Sequence, residues 1–174
     1  MDSKEFLKKI KDEGIEYVDI RFTDTRGALQ HVTIVSDEVD EDFLEEGFMF
    51  DGSSIAGWKS IEASDMKLMP DTTTAYVDPF YAETTICVHC SIVEPDTGES
   101  YERDPRGTAE KAEAYLKASG IGDEAFFGPE AEFFLFDDVK FTNKVNKVAY
   151  EVDASDGPGN TDTQTERGKP GPRP

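Results

Sequence analysis

Apolar positions along the chain alternate between two spacings, and the switches between them mark the elements. Residues 3–13 place Phe6, Leu7 and Ile10 on one helical stripe, with Ser3 as cap and Gly14 as stop. Two strand-like runs follow, 16–23 and 28–35, and Val18, Ile20 and Phe22 share one face of the first. Asp24-Thr25-Arg26-Gly27 between them predicts a hairpin loop whose glycine takes positive φ. Ser36-Asp37-Glu38 then opens an acidic helix carrying Val39, Phe43 and Leu44, ending near Gly47. Acids in a first turn favour the helix dipole.

The stretch Phe48-Met49-Phe50-Asp51-Gly52-Ser53-Ser54-Ile55-Ala56-Gly57-Trp58 reads as a Gly/Ser loop with an unusual apolar content. Loops rarely expose so many apolar groups without a partner, so it is expected to dock onto another subunit. A strand over 65–69 is predicted to end at Pro70-Asp71, followed by a short extended piece over 76–80. The strand at 84–94 closes at Pro95-Asp96-Thr97-Gly98. These elements give residues 1–100 an α+β character, with helices on one face of a mixed sheet. Composition shifts at 101–106. Asp104-Pro105 then begins a helix to about 118, with Ala109, Ala112, Tyr115 and Leu116 as its stripe and Gly120 as its stop. The aromatic run 125–136 reads as a strand, and shorter strands are predicted over 139–142 and 147–152. Residues 153–174 carry no apolar side chain larger than proline's after Ala154 and are expected to form a loose polar tail.

Charge narrows the partners. The 174 residues include 38 acidic and 18 basic side chains, a net charge of −20. That balance disfavours nucleic acid and anionic membrane surfaces, which draw on clustered Lys and Arg, while acidic groups can gather metal cations. No apolar stretch approaches a membrane span, and the N-terminus lacks the apolar core of a signal peptide, so a cytoplasmic location is expected. Cys87 and Cys90, in Cys-Val-His-Cys, could form a redox pair or half a zinc site. On a strand, however, positions three apart face opposite sides, which favours two core cysteines. His31 and His89 lie in strand-like runs without a neighbouring nucleophile and read as structural.

Two places could carry chemistry. Glu130 and Glu132 share a strand face with Phe126, Phe134 and Phe136 if 125–136 is a strand. Carboxylates among phenylalanines lose hydration and repel each other, and a hard divalent cation such as Mg²⁺ or Mn²⁺ answers both problems. Glu-x-Glu is equally the pattern of a solvent-facing edge strand. Asp51 is the second candidate, although Asp-Gly is also an ordinary turn signal.

Three blocks in order resemble bacterial type I glutamine synthetase: Phe50 to Trp58, Ser64-Asp65-Met66-Lys67-Leu68-Met69-Pro70-Asp71, and Phe127 to Phe136. The resemblance implies an N-terminal helix plus β-grasp domain over 1–100 and the truncated start of the α+β catalytic domain over 105–152. It implies a ligase that makes glutamine from glutamate, ammonia and ATP through γ-glutamyl phosphate, with two Mg²⁺ or Mn²⁺ ions per site. Glu130 and Glu132 match the family's first two metal ligands. Asp51 matches the loop aspartate that binds and deprotonates ammonium in a neighbouring subunit's site. Ser54 lies on the same loop, and Trp58 is placed as its interface anchor. The family is a homo-oligomer of stacked hexameric rings, and its ATP-contacting groups match nothing before Pro174. The 174 residues alone are expected to be inactive. The alternative is a free-standing β-grasp interaction module without catalysis.

Overall fold

The computed structural model describes residues 1–154; the tail expected over 153–174 lies almost entirely outside them. The chain divides into two compact units, residues 1–125 and residues 126 onward.

In the first unit, α1 (Ser3–Asp12) begins one residue earlier than Ser3 would cap it. Asp2 is the cap, because its carboxylate accepts from the Glu5 N–H while Glu5 reaches back to the Asp2 N–H. Phe6 and Ile10 are its buried stripe. β1 (Tyr17–Thr23) and β2 (Leu29–Val35) form the predicted antiparallel hairpin, with Gly27 at φ 83°. The acidic helix starts later than expected. Residues Ser36–Glu38 make only a 3₁₀ turn, and Asp40 caps α2 (Glu41–Glu46) by accepting from the Phe43 N–H.

The expected Gly/Ser loop is a strand in its first four residues: β3 (Phe48–Asp51) pairs antiparallel with β4 (Asp65–Val77). β4 also runs straight through Pro70, where the sequence predicts its end. β3 covers only Asp65–Leu68, so β4 is an edge on that side from Met69 onward, and an edge tolerates proline's missing N–H. β5 (Thr85–Val93) completes the sheet in the order β2-β1-β5-β4-β3, with only the β1–β5 pair parallel. α1 and α2 cover one face, burying Phe6, Ile10 and Leu44 against Val18, Ile20, Leu68, Ile86, Val88 and Ile92. α3 (Pro105–Ser119) is capped by Asp104 and stopped by Gly120, as predicted.

The opposite face holds a polar network. Asp19 and Thr33 are cross-strand partners, as are Arg21 and His31. The fully buried Asp19 accepts from Arg21 Nε at 2.7 Å and from the Thr33 hydroxyl at 2.7 Å, with His31 Nδ1 also at 2.7 Å. Arg21 reaches on to the Tyr76 hydroxyl at 2.5 Å and to Asp78 at 3.1 Å. Cys87 faces this network while Cys90 joins the helix-side core, so the two thiols diverge as strand parity requires. Burial pushes the Cys87 thiol up to about 11 and the Cys90 thiol up to about 12.

Among its described residues, the second unit contains one antiparallel hairpin, β6 (Asp138–Lys144) and β7 (Lys147–Asp153). The strand expected over 125–136 is not formed: residues 124–136 have no regular secondary structure. A strand needs a ladder partner, and among the described residues this run has none.

Two outcomes follow from the burial of these groups. Burial opposes the Asp19 carboxylate, but hydrogen bonds from Arg21, His31 and Thr33 outweigh it and hold its pKa below the usual value. A depressed folded-state pKa gives stabilisation that is complete above the unfolded value of about 3.9 and lost as pH falls through the folded one. Asp19→Asn should therefore lower the unfolding free energy by about 3 kcal/mol at neutral pH and flatten the acid side of the stability curve, as read by urea unfolding from pH 7 to pH 3. Equal stability with an unchanged acid limb would remove Asp19 from this role. Cys87 and Cys90 should react with an aromatic disulfide reagent at pH 8 only after denaturant is added, because the thiolate is the nucleophile and both thiols are buried. Prompt labelling of either thiol in the native chain would contradict their placement.

Candidate functional site

The first candidate centres on the turn that leaves β3. Asp51 is the last residue of that strand and pairs with Asp65 in the ladder. Its Oδ1 accepts from the Ser53 N–H at 2.8 Å and from the Ser53 hydroxyl at 2.6 Å, which caps the 3₁₀ turn Gly52–Ser54. The Ser53 hydroxyl first, and then its N–H, hold the exposed Asp51 carboxyl below the ordinary range. The result is a fixed anion facing solvent, suited to receive a cation. Gly52 makes this placement possible. It is buried, its N–H donates to the Ser64 carbonyl at 2.7 Å, and a Cβ there would meet Met66 Sδ at 2.2 Å. Ser54 follows on the same turn and is exposed.

The apolar groups of this segment face inward instead of outward. Trp58 is buried in its own chain's core, with ring contacts to Phe22 at 5.5 Å, Phe50 at 6.2 Å and Tyr101 at 5.5 Å. Phe48, Phe50 and Ile55 are partly buried against the same core, and Met49 stays about half exposed. The apolar content that suggested a docking loop is therefore largely spent within the chain, and Trp58 anchors the loop from inside.

Glu130 and Glu132 belong to the second unit and are exposed, in the run without a strand. Phe126, Phe133 and Phe134 around them are at least 72% exposed. The Phe134 and Phe136 rings stack at 6.3 Å, the one trace of the expected i, i+2 alignment. The two carboxylates thus keep their hydration here, and the desolvation argument for a cation does not operate. Their hard oxygen donors fit Mg²⁺ or Mn²⁺ in kind, but a six-coordinate ion takes more oxygen than two carboxylates provide. Among the described residues, no group of three or more His, Cys, Asp or Glu side chains could hold a metal ion. Sequence reasoning missed Lys59, Tyr101 and Arg103, which tie down the far end of the Asp51 loop. No local pattern marks them, because their partners lie more than thirty residues away in sequence.

Comparison with known proteins concerns the chain as a whole. Residues 14–95 match the family described as glutamine synthetase, beta-Grasp domain, and residues 102–171 match glutamine synthetase, catalytic domain. The chain is 72% identical over 162 residues to glutamine synthetase of Cereibacter sphaeroides, across 93% of this chain and 35% of that protein. It is 67% identical over 165 residues to the Rhodobacter capsulatus enzyme, covering 95% of this chain and 37% of that one. With the Escherichia coli (strain K12) protein, identity is 49% over 174 residues, covering 100% of this chain and 37% of the relative. The chain therefore spans about a third of the length of these curated relatives. Among solved structures, Plasmodium falciparum glutamine synthetase is similar in fold, with TM-score 0.66 and 24% identity, over 90% of this chain and 30% of that one.

The Gly52 geometry gives a direct test. Gly52→Ala should destabilise the first unit by about 2 kcal/mol, because the added Cβ would meet both Sδ and Cγ of the fully buried Met66, at 2.2 and 2.7 Å, with the Ser64 carbonyl oxygen 3.0 Å away. Denaturant unfolding checks this, and an alanine variant as stable as the parent would show that the turn can shift.

Proposed function

The chain belongs to the glutamine synthetase family, and on that premise we propose that it supplies the N-terminal part of an ATP-dependent glutamate–ammonia ligase acting through γ-glutamyl phosphate. In this reading residues 1–100 form the N-terminal domain and residues 105–152 begin the catalytic domain. The exposed, Ser53-oriented carboxylate of Asp51 is the observation that carries it. Asp51 binds ammonium in the site of a neighbouring subunit and takes its proton, and Ser54 lines the same site. A carboxylate held below its ordinary range favours holding the cation over deprotonating it. Proton removal therefore depends on the ammonium losing hydration in the assembled site. Trp58 keeps the loop at one height above the core, so the interface meets a fixed shape.

Glu130 and Glu132 would each contribute a carboxylate to a different Mg²⁺ or Mn²⁺ ion. When bound, the two ions neutralise charge on the transferring phosphoryl group of ATP. This role requires 125–136 to gain ladder partners, which would turn the two side chains to one face. The working assembly is a homo-oligomer of stacked hexameric rings with sites shared between subunits, located in the cytoplasm. Among the described residues, no helix is long and apolar enough to cross a membrane.

A β-grasp module that acts by binding alone is the competing reading, favoured by the self-contained core of residues 1–125. The 174-residue chain should release no phosphate from ATP with glutamate and ammonium. A chimera carrying this chain in place of the matching third of the Cereibacter sphaeroides relative should be active. In that chimera, Asp51→Asn should lower kcat/KM for ammonium by about a hundredfold, and Glu132→Ala should raise the Mn²⁺ concentration needed for half-maximal rate. An assembled but inactive chimera, or normal ammonium kinetics in Asp51→Asn, would leave the binding-module reading in place.

A further inference from the structure

We propose that Lys59, Tyr101 and Arg103 form a positioning clamp that fixes the reach of the Asp51 loop, and with it the affinity for the cation that Asp51 receives. The inference rests on the function proposed above and adds residues that touch neither substrate nor metal.

The loop is held at two ends. At its start, the β3–β4 ladder and the Gly52 N–H to Ser64 carbonyl bond fix Asp51. At its far end, three consecutive residues are gripped by groups from 94–103. The Gly57 carbonyl accepts from Arg103 Nη1 at 2.6 Å. The Trp58 carbonyl accepts from the Tyr101 hydroxyl at 2.9 Å. The Lys59 ammonium donates to both oxygens of Glu94, at 2.6 and 2.7 Å, and sits 5.2 Å from the centre of the Tyr101 ring. Tyr101 is itself tied to the sheet, through its N–H to the Ile92 carbonyl at 2.8 Å.

Directional control has to come from these contacts, because the indole cannot supply it. Trp58 Nε1 is buried without a hydrogen-bond partner, so the ring is held by packing alone. Packing fixes depth, whereas hydrogen bonds to two successive carbonyls fix the rotation of the backbone that leads back to Ser54 and Asp51. A further tie from the β1–β2 hairpin loop, Thr25 Oγ1 to the Ala56 carbonyl, is long at 3.5 Å, and within the loop the Ile55 N–H donates to the Gly52 carbonyl at 3.2 Å and the Trp58 N–H to the Ile55 carbonyl at 3.1 Å. Tyr101 and Arg103 also flank the start of the catalytic-domain match at residue 102, so the clamp joins loop placement to the junction between the two matched regions.

Trp58 is the only tryptophan in the chain, and its fluorescence therefore reports the seating of the loop directly. In the 174-residue chain, Tyr101→Phe removes the hydroxyl and keeps the ring. Arg103→Ala acts at a side chain that is 53% exposed, so the fold should survive it. Both variants should raise acrylamide quenching of Trp58 by about twofold, with Arg103→Lys restoring most of the protection. In the active chimera, the same two variants should raise KM for ammonium about fivefold while KM for ATP and kcat at saturating ammonium stay within about twofold. Unchanged quenching in folded Arg103→Ala overturns the clamp, as does a KM shift shared equally by ATP and ammonium. An inactive parental chimera would count against the proposed function, and the quenching result would still decide the clamp.

Discussion

Four aromatic rings meet where β1, β3, the Asp51 loop and the 101–104 segment converge, and that contact governs much of the first unit. Phe22 lies 5.3 Å from Phe50 and 5.5 Å from Trp58, and Trp58 lies 5.5 Å from Tyr101. Each ring comes from a different part of the sequence, so burying one requires the others to be in place. Aromatic pairs of this kind add about 1 kcal/mol each beyond the area they bury. They also solve a geometric problem, since a loop that presents a charged carboxylate to solvent needs a rigid floor beneath it. The cluster is that floor, and the Ser53 bonds to Asp51 complete the orientation above it.

The sheet has two chemically distinct faces. One is a conventional apolar core under α1 and α2. The other buries the Asp19 carboxylate and the Cys87 thiol, with the partly buried Arg21 guanidinium bonded to Asp19. Leaving Asp19 unpaired there would be costly, and three partners from β1 and β2 prevent it. The strand pairing itself supplies the partners, because Asp19 sits opposite Thr33 and Arg21 opposite His31. The register of the hairpin is thus specified twice, by apolar side chains on one face and by charge on the other.

Local chemistry was legible in the chain and distant pairing was not. Gly27 in its hairpin, Asp104-Pro105 at the start of α3 and Gly120 at its end each act within a few residues, and each is where the pattern puts it. β3 was misread because four residues flanked by glycines look like a loop until Asp65–Leu68 is known to lie beside them. The continuation of β4 through Pro70 depends likewise on how far β3 extends. The 125–136 run shows the opposite error. Its residues have strand character, but without a neighbouring ladder they remain irregular, and Glu130 and Glu132 stay in water. Asp51 could be found from its motif, whereas Tyr101 and Arg103 act on a loop more than forty residues earlier and leave no trace in spacing.

The strand order leaves β2 and β3 at the two ends of the five-stranded sheet, and these rims are unequal. β3 offers only four residues and turns away at once through Gly52, so it makes a poor template for an added strand. β2 offers seven, with Leu29 and Val35 open to water. Any lateral extension of this sheet by a foreign strand would therefore begin along β2, at the opposite end of the strand order from β3.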